Sequence, residues 1–389
     1  MAETRKASRF IVPVAVAGVA AATIGLVPAL AASGDPDLPE ITAQQLIEKI
    51  AASDTQTLSG TFKISTDLGL PSLGGLASGL GGLGGGGSSS ADPSEKLTEL
   101  VSGSHTLRVA ADGPERQRLT LLDGSDEYSL IHNGDDVWGY DSKSNEAFHE
   151  KGAGSGAPEE EQKLPSTPKE LADEVLKAAG DTTSITVGGT AKVAGRDAYQ
   201  LVIKPKQAGS TVESVKIAVD AANGTPLKFT LSSVEGGKPV VDAGFTKIDF
   251  GRPAASEFTF KAPKGAKVTE GAAQKAAEES GDDLPEGFEG GFPGLGKGFG
   301  GSGEGLNVIG EGWTSIAKID TGAPAPKTDE APKEIQGFLD SFGDKVTGKF
   351  GSGTVFSTKL VNALLTDDGK VYVGAVTKDA LVDAANSGR

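Results

Sequence analysis

Three histidines, His105, His132 and His149, are the only imidazoles in a 389-residue chain that has no cysteine. They carry most of the acid–base or metal chemistry the sequence could offer. Each falls in or beside a run that reads as a β-strand, none has a second metal-type residue at ligand spacing, and HExxH is absent. The acidic pairs Asp135-Asp136, Asp282-Asp283 and Asp367-Asp368 fall in segments that read as turns, where carboxylates accept turn hydrogen bonds and meet water. Gly296-Lys297-Gly298 lacks the hydroxyl residue that follows lysine in a phosphate loop, and no strand feeds it. There is no G-x-S-x-G elbow and no nucleophile–His–carboxylate grouping. Without cysteine, disulfides, thiolate catalysis and a lipid-modified N-terminal Cys are excluded. The expected catalytic, metal and cofactor residues are therefore none, and the chain reads as a binding protein rather than an enzyme.

The informative residues are apolar, and they alternate. From Ala191 to Leu231, Tyr199, Leu201 and Ile203 share one face, as do Val215, Ile217 and Val219, then Leu227, Phe229 and Leu231. Period-two patterning broken by turn residues means antiparallel strands with one apolar and one wet face. An earlier strand adds Phe62 and Ile64 to such a face. Trp138 and Tyr140 share a face of a hairpin strand, where sheet packing and ligand contact are both open. Asn133-Gly134, between alternating runs, is a strong hairpin signal. In all, residues 53–261 read as about ten antiparallel strands, among them Phe258 to Phe260.

Two short amphipathic helices are available to cover the apolar face. Thr42 with Gln45 makes a capping box for one, lined by Leu46, Ile47 and Ile50. Thr167, Pro168 and Glu170 open the other, with Leu171, Val175 and Leu176 as its stripe. Residues 69–90 place Leu70, Leu73, Leu76, Leu80 and Leu83 among many glycines, and read either as an apolar flap or as a disordered linker.

Net charge is −16. A surface that acidic repels phosphate backbones, so no nucleic-acid partner is expected. Arg5, Lys6 and Arg9 precede an uncharged run from Phe10 to Ala32, and Ala29-Leu30-Ala31 matches a signal-peptidase site. The run is also long enough for an uncleaved transmembrane helix. Both readings put the bulk of the chain outside the cytoplasm, secreted or membrane-anchored. Four segments follow: 1–33, signal peptide or anchor; 34–270, the binding domain; 271–305, a Gly-rich linker; and 306–389, a small C-terminal α/β unit. That unit should hold a strand near Trp313 to Ile319, a helix near Pro332 to Phe342, a hairpin turning at Asp368-Gly369 and a final helix from Lys378 to Asn386.

The order of elements carries a family resemblance. TAQQLIEKIAAS leads to LSGTFKIS and to a hairpin, DEYSLIHNGDDVWGYDSKSNEAFHE. TPKELADEVLKAAG precedes AGRDAYQLVIKP, VKIAVDAANGTPLKFTL, FTKIDFG and FTFKAPKGAKV. From Leu38 to Thr269 the chain resembles the LolA-type lipoprotein-carrier superfamily, which includes RseB-like periplasmic regulators, and it looks like an exported actinobacterial member. The resemblance implies an α+β fold, a curved antiparallel sheet (half-open β-barrel) with a helical lid over an apolar cavity. It implies a carrier or chaperone holding lipid or lipoprotein acyl chains. The cavity wall would then be Phe62, Ile64, Trp138, Tyr140, Tyr199, Leu201, Ile203, Val215, Ile217, Val219, Leu227, Phe229 and Leu231, with Leu46, Ile47, Ile50, Leu171 and Val175 on the lid. Leu284-Pro285-Glu286-Gly287-Phe288 resembles the stretch that opens the second domain of RseB. That implies the alternative of an envelope-stress regulator that senses lipid and contacts a membrane protein partner, a transporter or an anti-sigma factor.

Overall fold

The computed structural model describes residues 35–69, 91, 93, 96, 103–151, 168–270, 306–320 and 343–387. The Phe10 to Ala32 run, the leucines from Leu70 to Leu83, the Thr167 cap, the Leu171 side chain, the 271–305 linker and the helix expected near Pro332 lie outside the described residues. Among the described residues no helix is long and apolar enough to cross a membrane.

Helix α1 (Ala43–Ala51) starts where the capping box predicts. The Gln45 N–H donates to Thr42 Oγ1 at 3.2 Å, and the Thr42 N–H donates back to Gln45 Oε1 at 2.9 Å. Six strands follow: β1 (Thr57–Thr66), β2 (Gly103–Asp112), β3 (Arg116–Asp123), β4 (Asp126–Asn133), β5 (Asp136–Asp141) and β6 (Glu146–Lys151). Helix α2 (Pro168–Ala179) precedes β7 (Thr183–Val193), β8 (Arg196–Pro205), β9 (Val212–Asp220), β10 (Pro226–Ser233), β11 (Val241–Asp249) and β12 (Lys267–Glu270). The twelve strands form one sheet in the order β12-β6-β5-β4-β3-β2-β1-β11-β10-β9-β8-β7. Its two ends do not pair with each other, so the sheet is curved and unclosed, antiparallel but for one edge. The fold class is the α+β half-barrel expected.

Three features depart from the sequence reading. The expected strand at Phe258 to Phe260 is instead a 3₁₀ turn, Ala255–Phe258, followed by extended chain. Its N–H groups bond three residues back, Glu257 to Ala254 at 2.9 Å, and Arg118 of β3 donates to the Glu257 carbonyl at 3.2 Å. Both phenylalanines still face the sheet: Phe258 is buried, and Phe260 lies 5.2 Å from the Trp138 ring. Strand β7 was not expected, because Gly188-Gly189 punctuates its sequence. The two glycines form a bulge opposite Gln200, Gly189 taking φ +118°, while a Cβ at Gly188 would collide with Val202. Strand β12, the last four residues before the expected linker, was not expected either and pairs parallel to β6.

His149 holds that edge. It is buried, its Nδ1 lies 2.9 Å from Glu270 Oε2 on β12, its Nε2 lies 2.8 Å from Asp136 Oδ1, and its ring stacks on Trp138 at 3.8 Å. It is a strand-edge clamp, in keeping with ordinary strand placement. Replacing His149 with alanine should free β12, read as faster amide exchange at residues 267–270 with β3 and β4 unchanged. Unchanged exchange at β12 would show that the backbone ladder alone holds it.

The C-terminal unit is a six-stranded sheet in the order β13-β14-β18-β17-β16-β15: β13 (Leu306–Ile309), β14 (Ile316–Asp320), β15 (Gly343–Gly348), β16 (Gly351–Ser357), β17 (Asn362–Thr366) and β18 (Lys370–Gly374). The expected hairpin joins β17 to β18, and helix α3 (Lys378–Asn386), capped by Thr377, buries Leu381, Ala384 and Ala385 against Val355, Leu364 and Tyr372. The β15–β16 hairpin is additional to the elements expected.

Candidate functional site

Register joins most of the expected wall residues into one surface. Directly opposed residues on neighbouring strands share a face. Leu201 opposes Ile217, Ile217 opposes Phe229, Phe229 opposes Ala243, and Ala243 opposes Ile64. One step along, Ile203 meets Val215 and Val215 meets Leu231, while Phe62 meets Phe245 with rings edge-on at 5.0 Å. The face continues past β1 through Leu58 and Ala111 to Val109, Leu119 and Leu130, and to Leu107, Leu121 and Tyr128. These β2–β4 residues were not among the expected wall residues. Their alternation is as clear as that of β8–β10, but local patterning does not say that distant strands belong to one wall.

Two helices cover the β7–β9 part of this face. Leu46 and Ile47 of α1 are buried in one cluster with Tyr199, Leu201 and Val219, and Ile50, Ile203 and Ile217 pack against it. Helix α2 contributes Ala172 and Leu176. Val175, expected on the lid, is 39% exposed and turned outward, because one helical step places Ala172 and Leu176 on the sheet side instead. The two helices are tied by Gln44 Nε2 donating to Asp173 Oδ1 at 3.0 Å. The chain before α1 is strapped across β8 by the Tyr199 hydroxyl donating to the Pro39 carbonyl at 3.0 Å. Beside it lies an open groove of about 670 Å³, rimmed by Glu40, Glu48, Lys49 and Lys169.

The remaining face, in front of β1–β4, β10 and β11, belongs to a second cluster that contains Leu58, Phe62, Ile64, Leu227 and Leu231. Within it Val109, Leu119, Leu130, Val215 and Phe229 are only half-buried. Ala91 crosses one margin: its carbonyl accepts from the Tyr128 hydroxyl at 3.1 Å, where Gly139 leaves room that a Cβ would close. At the far margin the C-terminal unit supplies the turn between β16 and β17. Leu360 is buried there, and Lys359 Nζ meets Asp67 Oδ2 at 2.6 Å. The Lys359 hydrogen bond outweighs burial and holds the Asp67 carboxyl below its usual range.

Trp138 and Tyr140 do not join the wall. Register places them with Ile131, Ser129 and His149, on the side opposite Leu119, Leu130 and Tyr128, where Phe260 covers both rings. Their shared face was legible; its being the outer one depends on pairing across four strands. On that same outer side of the β8–β10 strands Lys216 is exposed, and Lys228 pairs with Asp242 at 2.9 Å. Among the described residues, no three His, Asp or Glu side chains are grouped to hold a metal ion. What the arrangement offers is apolar contact, with a lid at one side and few polar groups pointing in.

No family model and no curated protein matches the chain. Solved structures do. The complex of MucA and MucB from Pseudomonas aeruginosa aligns over 88% of this chain and 96% of that one, at 16% identity and a TM-score of 0.39. A LolA superfamily protein from Nitrosomonas europaea aligns over 57% of this chain and 99% of that one, at 11% identity and a TM-score of 0.19. An uncharacterized conserved protein from Thermus thermophilus aligns over 59% and 98%, at 12% identity and a TM-score of 0.31. Likeness at this distance carries no argument about function.

Proposed function

We propose that this chain is an extracytoplasmic binding protein that holds the acyl chains of a lipid or lipoprotein against the apolar face of its half-barrel, as a carrier or chaperone. The observation that supports it best is a single face, continuous from β4 to β7 by register, that is apolar at the middle positions of its strands and, among the described residues, only partly covered by helices. Burying hydrocarbon there gains about 0.8 kcal/mol per methylene and needs no polar recognition group. The export reading rests on Arg5, Lys6 and Arg9 ahead of the apolar Phe10 to Ala32 run.

Native mass spectrometry of the exported protein should find a bound lipid, and an acyl fluorescent probe should compete with it. Phe229 stands at the centre of the face and is half-buried. A carboxylate there, in Phe229→Glu, should weaken probe binding about ten- to a hundredfold, the cost of setting a polar group among apolar ones. Protein that carries no lipid and binds no probe would overturn the proposal.

A regulatory reading of RseB type has one supporting observation: the C-terminal unit is seated on the rim of the apolar face rather than hanging free. The Thr211 N–H donates to the Ala375 carbonyl at 3.0 Å, and Trp313 Nε1–H to Thr183 Oγ1 at 2.7 Å. On that reading the unit contacts a membrane protein partner, an anti-sigma factor or a transporter subunit. Pull-down of such a partner, lost on deleting residues 306–389, would favour it over a simple carrier.

A further inference from the structure

One end of the apolar face is closed by a side chain of the C-terminal unit. Strands β1 and β10 end there, β9 and β11 begin there, and the turn Thr358–Val361 meets them. Leu360, in that turn, is 5% exposed and belongs to the same buried cluster as Ile64, Val212, Leu231 and Val241. Its backbone is fixed on two sides. The Thr211 hydroxyl donates to the Leu360 carbonyl, and the Lys359 N–H donates to the Leu68 carbonyl at 2.9 Å. The turn is itself braced, with the Thr358 hydroxyl accepting from the Val361 N–H at 2.9 Å, and Lys359 is paired with Asp67. Leu360 therefore cannot withdraw along the strand axis without breaking bonds to the chain just after β1 and just before β9.

We propose that Leu360 is the stop against which the terminal methyl of a bound acyl chain rests, so that the C-terminal unit sets the longest chain the face accepts. The inference rests on the acyl-binding reading above. A methyl end needs no polar partner, only a wall, and a branched aliphatic side chain on a pinned backbone is such a wall. Affinity rises with chain length while each added methylene is buried. Once the chain reaches Leu360, a further methylene must kink, protrude at the other end, or unseat the C-terminal unit. Trp313, half-buried at that seat with its indole N–H on Thr183, reports the last of these.

The test uses the full chain and a series of lysophosphatidylcholines from decanoyl to eicosanoyl, followed by calorimetric titration. In the unaltered protein affinity should climb about fourfold per methylene (about 0.8 kcal/mol each) and then level off. Leu360→Ala should move the plateau about three methylenes longer, matching the heavy atoms removed, and Leu360→Phe should move it shorter. Trp313 emission in a Trp138→Phe background should be the same in all three free proteins, and should shift to the red only with chains beyond each protein's plateau. A plateau at the same length in all three proteins would overturn the inference while leaving acyl binding intact. No binding by any member of the series to the unaltered protein would overturn acyl binding itself, and the length limit with it.

Discussion

Replacing Asp220 with alanine should lower the free energy of unfolding by about 3 kcal/mol, read by denaturant titration. Asp220 ends β9 and is fully buried. Its carboxylate accepts from Arg196 through Nε and, at 3.2 Å, through Nη2, and from the N–H groups of Ala222 and Asn223 at 2.8 and 3.0 Å. Arg196 also lies over the Phe250 ring, 4.7 Å from its centroid. Alanine would leave a guanidinium without its counter-charge and two turn N–H groups without an acceptor. Breaking one side of a buried pair costs far more than the pair contributes. Asp220→Asn, which keeps an oxygen for the turn, should lose less. The pH dependence has a definite sign. Burial pushes the Asp220 carboxyl up, but the Arg196 hydrogen bond and the Asn223 and Ala222 N–H groups outweigh it and hold it below its usual range. A carboxyl lowered by folding stabilises fully above its unfolded-state value, about pH 3.9, and that stabilisation is lost as pH falls through the lower folded value. Below about pH 4 the unaltered protein should therefore lose stability more steeply than Asp220→Ala. Equal slopes would show that the pair carries no linkage.

Gly224→Ala should unseat the lid. Gly224 is buried in the β9–β10 turn at φ +78°, and a Cβ there would collide with the carbonyl of Lys49, lying 2.9 Å from its carbon. Lys49 belongs to α1, so the turn and the end of the lid helix touch backbone to backbone. Alanine in the left-handed region costs about 1–2 kcal/mol, and the collision adds about 1–3 more unless α1 moves away. The helix is the movable partner, because the turn is fixed by the Asp220 bonds while the hydrogen bond from Lys49 to the turn is a long one, from Nζ to the Ala222 carbonyl at 3.4 Å. Amide exchange across residues 43–51 should speed up markedly while β9 and β10 stay protected. On the acyl-binding reading, probe release should also accelerate. Protection in α1 equal to that of the unaltered protein would show that the helix is held by Leu46 and Ile47 alone.

The parts legible beforehand were those whose signal is local. The capping box at Thr42 and Gln45 and the Asn133-Gly134 turn are each written within four residues, and each formed where expected. Strand β12 was not legible, since its four residues make sense only beside β6, more than a hundred positions earlier. Val175 was misplaced for a related reason: α2 offers apolar residues on adjoining sides, and only docking against β7 and α1 selects Ala172 and Leu176.

By itself the sequence determined which residues share a face, because alternation is a property of a single strand. It also gave the expectation of apolar contact, because it holds no cysteine and no recognisable catalytic motif. Only the tertiary structure decided which face is inner. That depends on pairing carried across twelve strands, through the β11 irregularity opposite Thr61 and Phe62 and the Gly188-Gly189 bulge. Each such irregularity resets the parity that alternation alone would propagate. Hence Leu119 and Leu130 line the inner side while Trp138 and Tyr140, as regular in sequence, stand outside. It decided too that Leu360 belongs to this face, since a side chain nearly three hundred residues from Ile64 reaches it only through the seating of one folded unit on another.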